Sequence, residues 1–162
     1  MKILFIQTGG TIDKDYPRTT KGYAFEISTP AVERILPKVN PNFEYELVTV
    51  AQKDSTELTE EDREKLLKVC LDTPISKILI THGTDTMIET AQKLGGIEGK
   101  AIIITGSMRP EKFSDSDAAF NIGVAIGALN SLETGIYIAM NGRVYPAEKC
   151  ERNMETGQFM GK

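Results

Sequence analysis

"KILFIQTGGTID", residues 2–13, carries the apolar run Ile3 to Ile6 straight into two glycines and a threonine. Such a run suits a strand buried on both faces, and glycine after it lets the backbone take the positive φ of a tight exit. Thr11 at that exit is either an incidental loop hydroxyl or a reactive one. Four more strand-like stretches follow, at 43–50 (FEYELVTV), 77–82 (KILITH), 101–105 (AIIIT) and 135–140 (GIYIAM). The runs at 78–80 and 102–104 are apolar at successive positions, as in strands covered on both faces. By contrast, 43–50 alternates and suits a place near a sheet edge.

Helix-like segments separate these runs. STPAVERIL offers Ser28 or Thr29 as N-cap with Pro30 at the first helical position, and TEEDREKLLKVCLD puts Thr59 before an acidic first turn. TDTMIETAQKL follows the third strand, and DSDAAFNIGVAIGALNSL follows the fourth, its Ala and Gly allowing close packing on a sheet. The order β, loop, α, β, α, β, α, β, α, β predicts a doubly wound α/β domain, flavodoxin-like or Rossmann-like. Its sheet is mostly parallel, helices cover both faces, and ligands bind beyond the carboxyl ends of the strands near a switch point. The stretch 9–28 lacks helix or strand pattern and exceeds the usual connection length, which predicts a functional loop or lid.

The 162 residues are 40% hydrophobic without a composition shift, so a single domain over 1–162 is expected. Nineteen Lys plus Arg against 23 Asp plus Glu give a net charge of −4, which argues against nucleic acid as a partner. The opening apolar run is broken by Gln7 and the glycines before a signal or membrane segment could form, so a cytoplasmic protein with no membrane contact is expected. Cys70 and Cys150 have no CxxC spacing, and Cys70 reads as a small buried thiol in a helix; neither a disulfide nor a metal site is expected.

Three segments leave the same edge of the predicted sheet: TGGTID, THGTDT and TGSMRP. Thr8, Thr11, Thr81, Thr84, Thr86, Thr105 and Ser107 would then surround one crevice, a density hard to explain by packing, with Asp85 as its most sharply placed carboxylate. Neither GxGxxG nor GxxxxGK[ST] is present, which argues against a nucleotide cradle. His82 is the only histidine, so a histidine-based metal site or a Ser-His-Asp system has little to build on, and there is no GxSxG elbow. Hydroxyl chemistry without histidine remains. A threonine hydroxyl needs a partner to take its proton, Asp85 is available, and glycine-loop N–H groups could hold an oxyanion. Thr11 is chemically sensible as a nucleophile, with a binding-only hydroxyl as the alternative. Blander readings stand beside these: Thr84 as N-cap of a helix over 85–95, His82 as a hydrogen-bonded structural residue, Ser55 as a turn cap, and AEKCER as a solvated helix face.

TGGTI, THGTDTM and TGSMRP, in that order and spacing, resemble the bacterial-type L-asparaginase/glutaminase family of threonine amidohydrolases over essentially the whole chain. The resemblance implies hydrolysis of the L-asparagine side-chain amide to aspartate and ammonia through a covalent acyl-enzyme, without metal or cofactor. By position it implies Thr11 as primary nucleophile, and Thr84 and Asp85 as the second threonine and its carboxylate, Asp85 also holding the substrate α-amino group. Tyr23 of KGYAF becomes the orienting lid hydroxyl, with Tyr16 as fallback. Ser55 of KDSTEL, followed by Thr56, takes the α-carboxylate, and Gly10, Gly83 and Ser107 complete the expected substrate-binding set.

Two departures from the family pattern stand out. Where the family places a relay lysine, an ungapped reading gives Arg152, with Lys149 one helical turn earlier. Arginine cannot accept a proton because its pKa stays above ~12. Either Lys149 fills the role, or Arg152 supplies only charge and the base is Asp85 or water. The family also has a further C-terminal domain that completes a neighbour's site across a dimer, whereas this sequence stops at Lys162. The expectation is therefore a short, single-domain form acting as a homodimer or higher homo-oligomer. Three alternatives stay open: a glutaminase or other small-amide hydrolase, the amidotransferase subunit that releases ammonia for tRNA-linked amidation, and a non-catalytic amino-acid-binding module.

Overall fold

The opening run forms β1 (Lys2–Gly9), buried from Ile3 to its end. In the computed structural model, which describes residues 1–16 and 25–162, β1 lies inside a six-stranded sheet. The other elements, in chain order, are β2 (Lys14–Asp15), β3 (Glu26–Ile27), α1 (Val32–Val39), β4 (Glu44–Lys53), α2 (Glu60–Asp72), β5 (Lys77–Thr81), α3 (Met87–Lys93), β6 (Ala101–Thr105), α4 (Ala118–Leu129), β7 (Gly135–Met140), β8 (Arg143–Pro146), β9 (Cys150–Arg152) and β10 (Phe159–Gly161). The sheet order is β4-β1-β5-β6-β7-β8, with β4 at an edge; all neighbours are parallel except the β7–β8 pair. The chain winds one way from β1 to β4 and the other way from β5 onward. The switch point therefore lies beside β1, where a doubly wound sheet opens a crevice at its carboxyl ends.

Alternating residues of each central strand feed two cores. Leu4, Ile6, Ile78, Ile80, Ile102 and Ile104 pack with α2 and α3 on one face. Ile3, Phe5, Leu79 and Ile103 pack with α1 and α4 on the other. Each such side chain, fully buried, favours folding by ~1.5–3 kcal/mol over exposure, so the central strands are the rigid part from which the site loops hang. Thr59 caps α2 through a reciprocal box: its hydroxyl accepts from the Asp62 N–H at 3.2 Å, and the Asp62 carboxylate accepts from the Thr59 N–H at 2.9 Å. Burial pushes the Cys70 and Cys150 thiols up to about 12 and about 11, leaving them protonated and inert at neutral pH. Among the described residues, no helix is long and apolar enough to cross a membrane.

Several local expectations are corrected. Neither Ser28 nor Thr29 caps α1; the Asp13 carboxylate, 18 residues upstream, accepts from the Ala31 N–H at 2.7 Å. Thr84 does not cap α3, which begins only at Met87. The stretch 9–28 is not structureless, since Thr11–Asp13 form a 3-10 turn and β2 pairs antiparallel with β3; Tyr23 lies outside the described residues. AEKCER is not a helix face: Ala147–Lys149 make a 3-10 turn, and Cys150 begins β9, which pairs with β10. The strand expected at 43–50 runs on to Lys53.

Candidate active site

The backbone brings the loops together before any side chain does. Gly9 and Gly10 have φ of 108° and 87°, and a Cβ at Gly10 would collide with the Gly83 backbone of the loop after β5. Gly83 in turn sits so close to the loop after β4 that a Cβ there would lie 2.7 Å from the Ser55 Oγ. The Gly10 N–H donates to the Lys53 carbonyl at 2.9 Å. TGGTID, KDSTEL and THGTDT are therefore stacked at the switch point, with contacts only glycine permits.

The seven hydroxyls expected around one crevice divide by what they bond. Thr8 donates to the Thr81 carbonyl at 2.8 Å, Thr81 to Ile6 at 3.5 Å and Thr105 to Ala139 at 2.7 Å, so these three staple strand ends together. Thr86 donates to the Ser55 carbonyl at 2.8 Å, fixing the β4 exit against the β5 exit, and Ser107 donates to Arg109 within its own loop. That corrects the crevice: packing explains most of the density. Among the described residues no partner engages the hydroxyls of half-buried Thr11 and Thr84. Ser55 is 1% exposed, and its Oγ has no hydrogen-bond partner among those residues. Thr56, next to it, is exposed.

Thr11 stands on a turn clamped from below by two residues that sequence reasoning missed. Gln7 and Asp13 are both 0% exposed. The Gln7 amide donates to Asp13 Oδ2 at 3.0 Å and to the Ser28 carbonyl at 2.9 Å, while its oxygen accepts from Thr49 at 2.9 Å. Burial pushes the Asp13 carboxyl up to about 6, against the Ala31 and Gln7 hydrogen bonds that favour its charge. A glutamine closing the apolar run 3–6 and an aspartate six residues on are the only signal the sequence carries for this pair.

Thr84 stands on a turn held by a neutral histidine backed by a buried arginine. Buried His82 contacts the Gly83 carbonyl with Nδ1 at 2.7 Å and Thr90 Oγ1 with Nε2 at 2.8 Å, and Arg63 Nε donates to the same Thr90 oxygen at 3.2 Å. These contacts assign the donor direction Arg63 to Thr90 to His82 to the Gly83 carbonyl, with the proton on Nδ1. Burial drives the histidine down to about 4, so it is neutral at pH 7. Past Thr84, exposed Asp85 accepts from Arg152 Nη1 at 2.7 Å. The Arg152 guanidinium lies over the Phe159 ring at 5.7 Å, and its Nε is buried without a partner among the described residues. Lys149 is exposed on the turn before β9, and no ion pair joins it to Asp85 among the described residues. The half-exposed Tyr16 ring stacks on Phe25 at 4.6 Å.

Residues 2–159 match the protein family described as Asparaginase, N-terminal. The chain belongs to the asparaginase family. Among its asparaginase-family relatives, the glutaminase-asparaginase of Acinetobacter glutaminasificans is 26% identical over 99% of this chain and 53% of its own. The L-asparaginase 2 of Bacillus subtilis is 28% identical over 95% of this chain and 44% of its own. The structure of the thermostable L-asparaginase from Thermococcus kodakarensis superposes with a TM-score of 0.83 at 26% identity, covering 99% of this chain and 51% of that one. The chain thus spans about half the length of the relatives it matches.

Proposed function

We propose that residues 1–162 form the catalytic domain of an amidohydrolase that cleaves the side-chain amide of L-asparagine with Thr11 as nucleophile. The observation that carries this reading is the meeting at the switch point of the loops that carry Thr11, Ser55 and Thr84, whose hydroxyls are uncommitted among the described residues while five neighbouring hydroxyls are anchored. The substrate α-carboxylate supplies the acceptor that the buried Ser55 hydroxyl lacks, with backbone N–H groups of the same 3-10 turn assisting. Asp85 takes the α-amino group with the oxygen that Arg152 leaves free. Thr11 Oγ then attacks the side-chain carbonyl, and N–H groups of the glycine loops hold the oxyanion. The C–N bond breaks and ammonia leaves, its added proton coming from the Thr11 hydroxyl. Water hydrolyses the resulting β-aspartyl ester, releasing aspartate and restoring the hydroxyl.

Arg152, rather than Lys149, is the cation beside Thr84 in this scheme, and it acts as fixed charge because a guanidinium does not accept a proton. Asp85 or water then takes the proton that Thr84 relays. Thr56 and Ser107 contribute through their backbone N–H groups, and Tyr23 orients Thr11. L-Glutamine is the second substrate to test: one relative carries both activities in its name, and one methylene discriminates by only ~1–3 kcal/mol. The same reading includes a cytoplasmic homodimer or larger homo-oligomer, which sedimentation velocity tests. The deciding assay is ammonia release from each amide by wild type and Thr11→Ala. Full turnover by the variant would remove Thr11 from this role.

A further inference from the structure

We propose that Asp13 is a positioning residue whose ionised carboxylate locks the Thr11 turn to the returning segment 28–31, so that the nucleophile is held for attack only while this buried group carries its charge. The inference rests on the reading of Thr11 as nucleophile. Asp13 closes the same 3-10 turn that Thr11 opens, and its N–H donates to the Gly10 carbonyl at 3.2 Å. From there it binds the other end of the 14–27 segment. Its carbonyl accepts from the Ser28 N–H at 2.9 Å and the Ser28 hydroxyl at 3.1 Å, and its carboxylate accepts from the Ala31 N–H at 2.7 Å. Gln7 crosses between them, donating to Asp13 and to the Ser28 carbonyl.

The donor directions make the charge matter. Both amide protons of Gln7 go to acceptors and its oxygen is engaged by Thr49, so Gln7 presents only a donor to Asp13 Oδ2. The peptide N–H of Ala31 presents only a donor to Oδ1. A protonated carboxyl would point its O–H at one of two donors, and in a site with no exposure that loses a hydrogen bond and adds a repulsion. The charged groups facing Asp13 among the described residues are Arg34 of α1, which favours the ionised form, and Glu111, which opposes it. Glu111 is itself paired with Arg34 and, at 3.2 Å, with Lys38. Burial outweighs the favourable partners and sets the carboxyl near pH 6; protonation in mild acid relieves the burial cost of the charge but turns an O–H toward two donors, so the lock loosens while the group itself stays buried.

The test uses the whole chain with Asp13→Asn, a near-isosteric variant that cannot ionise. Ammonia release is measured from pH 4.5 to 8, alongside thermal unfolding at pH 7 and amide hydrogen exchange. The expected result is a kcat about tenfold to a hundredfold lower with KM nearly unchanged, an unfolding midpoint near that of wild type, and loss of the acid limb that wild type shows around pH 6. In wild type, protection of the Asp13, Ser28 and Ala31 amides should fall together on acidification through pH 6. Wild-type kcat in Asp13→Asn with the acid limb intact would overturn the proposal, and so would flat amide protection across that range. If wild type releases no ammonia from either amide, the functional reading fails, and the exchange profile still decides the lock by itself.

Discussion

The two threonine turns that meet at the switch point are built on opposite principles. The Thr11 turn is locked by a buried carboxylate that burial holds near pH 6, received by Gln7 and by the N-terminus of α1. The Thr84 turn is held through neutral His82 by a relay that starts at the buried Arg63 guanidinium, and its carboxylate, Asp85, is exposed and paired with Arg152. A buried carboxylate is costly and can only accept, so it holds only groups that present a donor to it. The neutral histidine stands between the Arg63 cation and the backbone, and satisfies the Gly83 carbonyl without itself carrying a charge. The difference teaches that the Thr11 turn is tied down by a carboxylate of its own, whereas the Thr84 turn is held by a relay that begins on α2.

The sharpest break in this comparison comes where the turns touch. Gly10→Ala forces a side chain into the Gly83 backbone at φ 87°, and nothing there is a flexible side-chain end that could yield. Denaturant unfolding should show a loss of about 3 kcal/mol or more, with activity lost as well.

Acid titration separates the two turns next. His82 is driven below its unfolded value, so the stability it contributes is present above about pH 6.5 and is lost as pH falls toward 4. Asp13 is raised above its unfolded value, so its contribution is present below about pH 4 and is lost as pH rises toward 6. The slopes oppose each other and should nearly cancel in wild type. Relative to wild type, Asp13→Asn should lose stability on acidification from pH 6.5 to 4, and His82→Gln should gain it, each by on the order of 3 kcal/mol. Parallel unfolding curves for both variants would show that neither group titrates in that window.

Smaller effects probe the exposed pair. Arg152→Ala should lower kcat/KM for L-asparagine about tenfold, and Arg152→Lys should recover part of it while adding a basic limb that arginine cannot give. Lys149→Ala should leave kcat/KM and stability within about twofold and 0.5 kcal/mol of wild type. A larger loss there would mean that Lys149, and not Arg152, serves the second threonine.

Much of the frame was legible because hydrophobic runs and glycine exits are local signals: β1, β5 and β6 read as buried strands, β4 as an edge, and Thr59 as a cap. What was not legible depends on partners far apart in sequence. Asp13 capping α1 across 18 residues, and Gln7 turning inward from a strand, leave no periodic trace. The β7–β8 hairpin was legible and overlooked: Asn141 and Gly142, with φ of 54° and 79°, are the Asn-Gly pair that a two-residue hairpin favours. For the site, two of the glycine–threonine motifs belong to loops that the structure brings together, but residue types cannot distinguish a hydroxyl that staples a strand end, such as Thr8 or Thr105, from one without a partner among the described residues. Only the bonding partners do that.

The most direct test of the central claim is rapid acid quench of the protein during turnover of L-asparagine, followed by peptide mass analysis. A β-aspartyl ester on the peptide carrying Thr11, absent in Thr11→Ala, is the predicted result. Ammonia release at an undiminished rate from Thr11→Ala, or an adduct on Thr84 in place of Thr11, would contradict it.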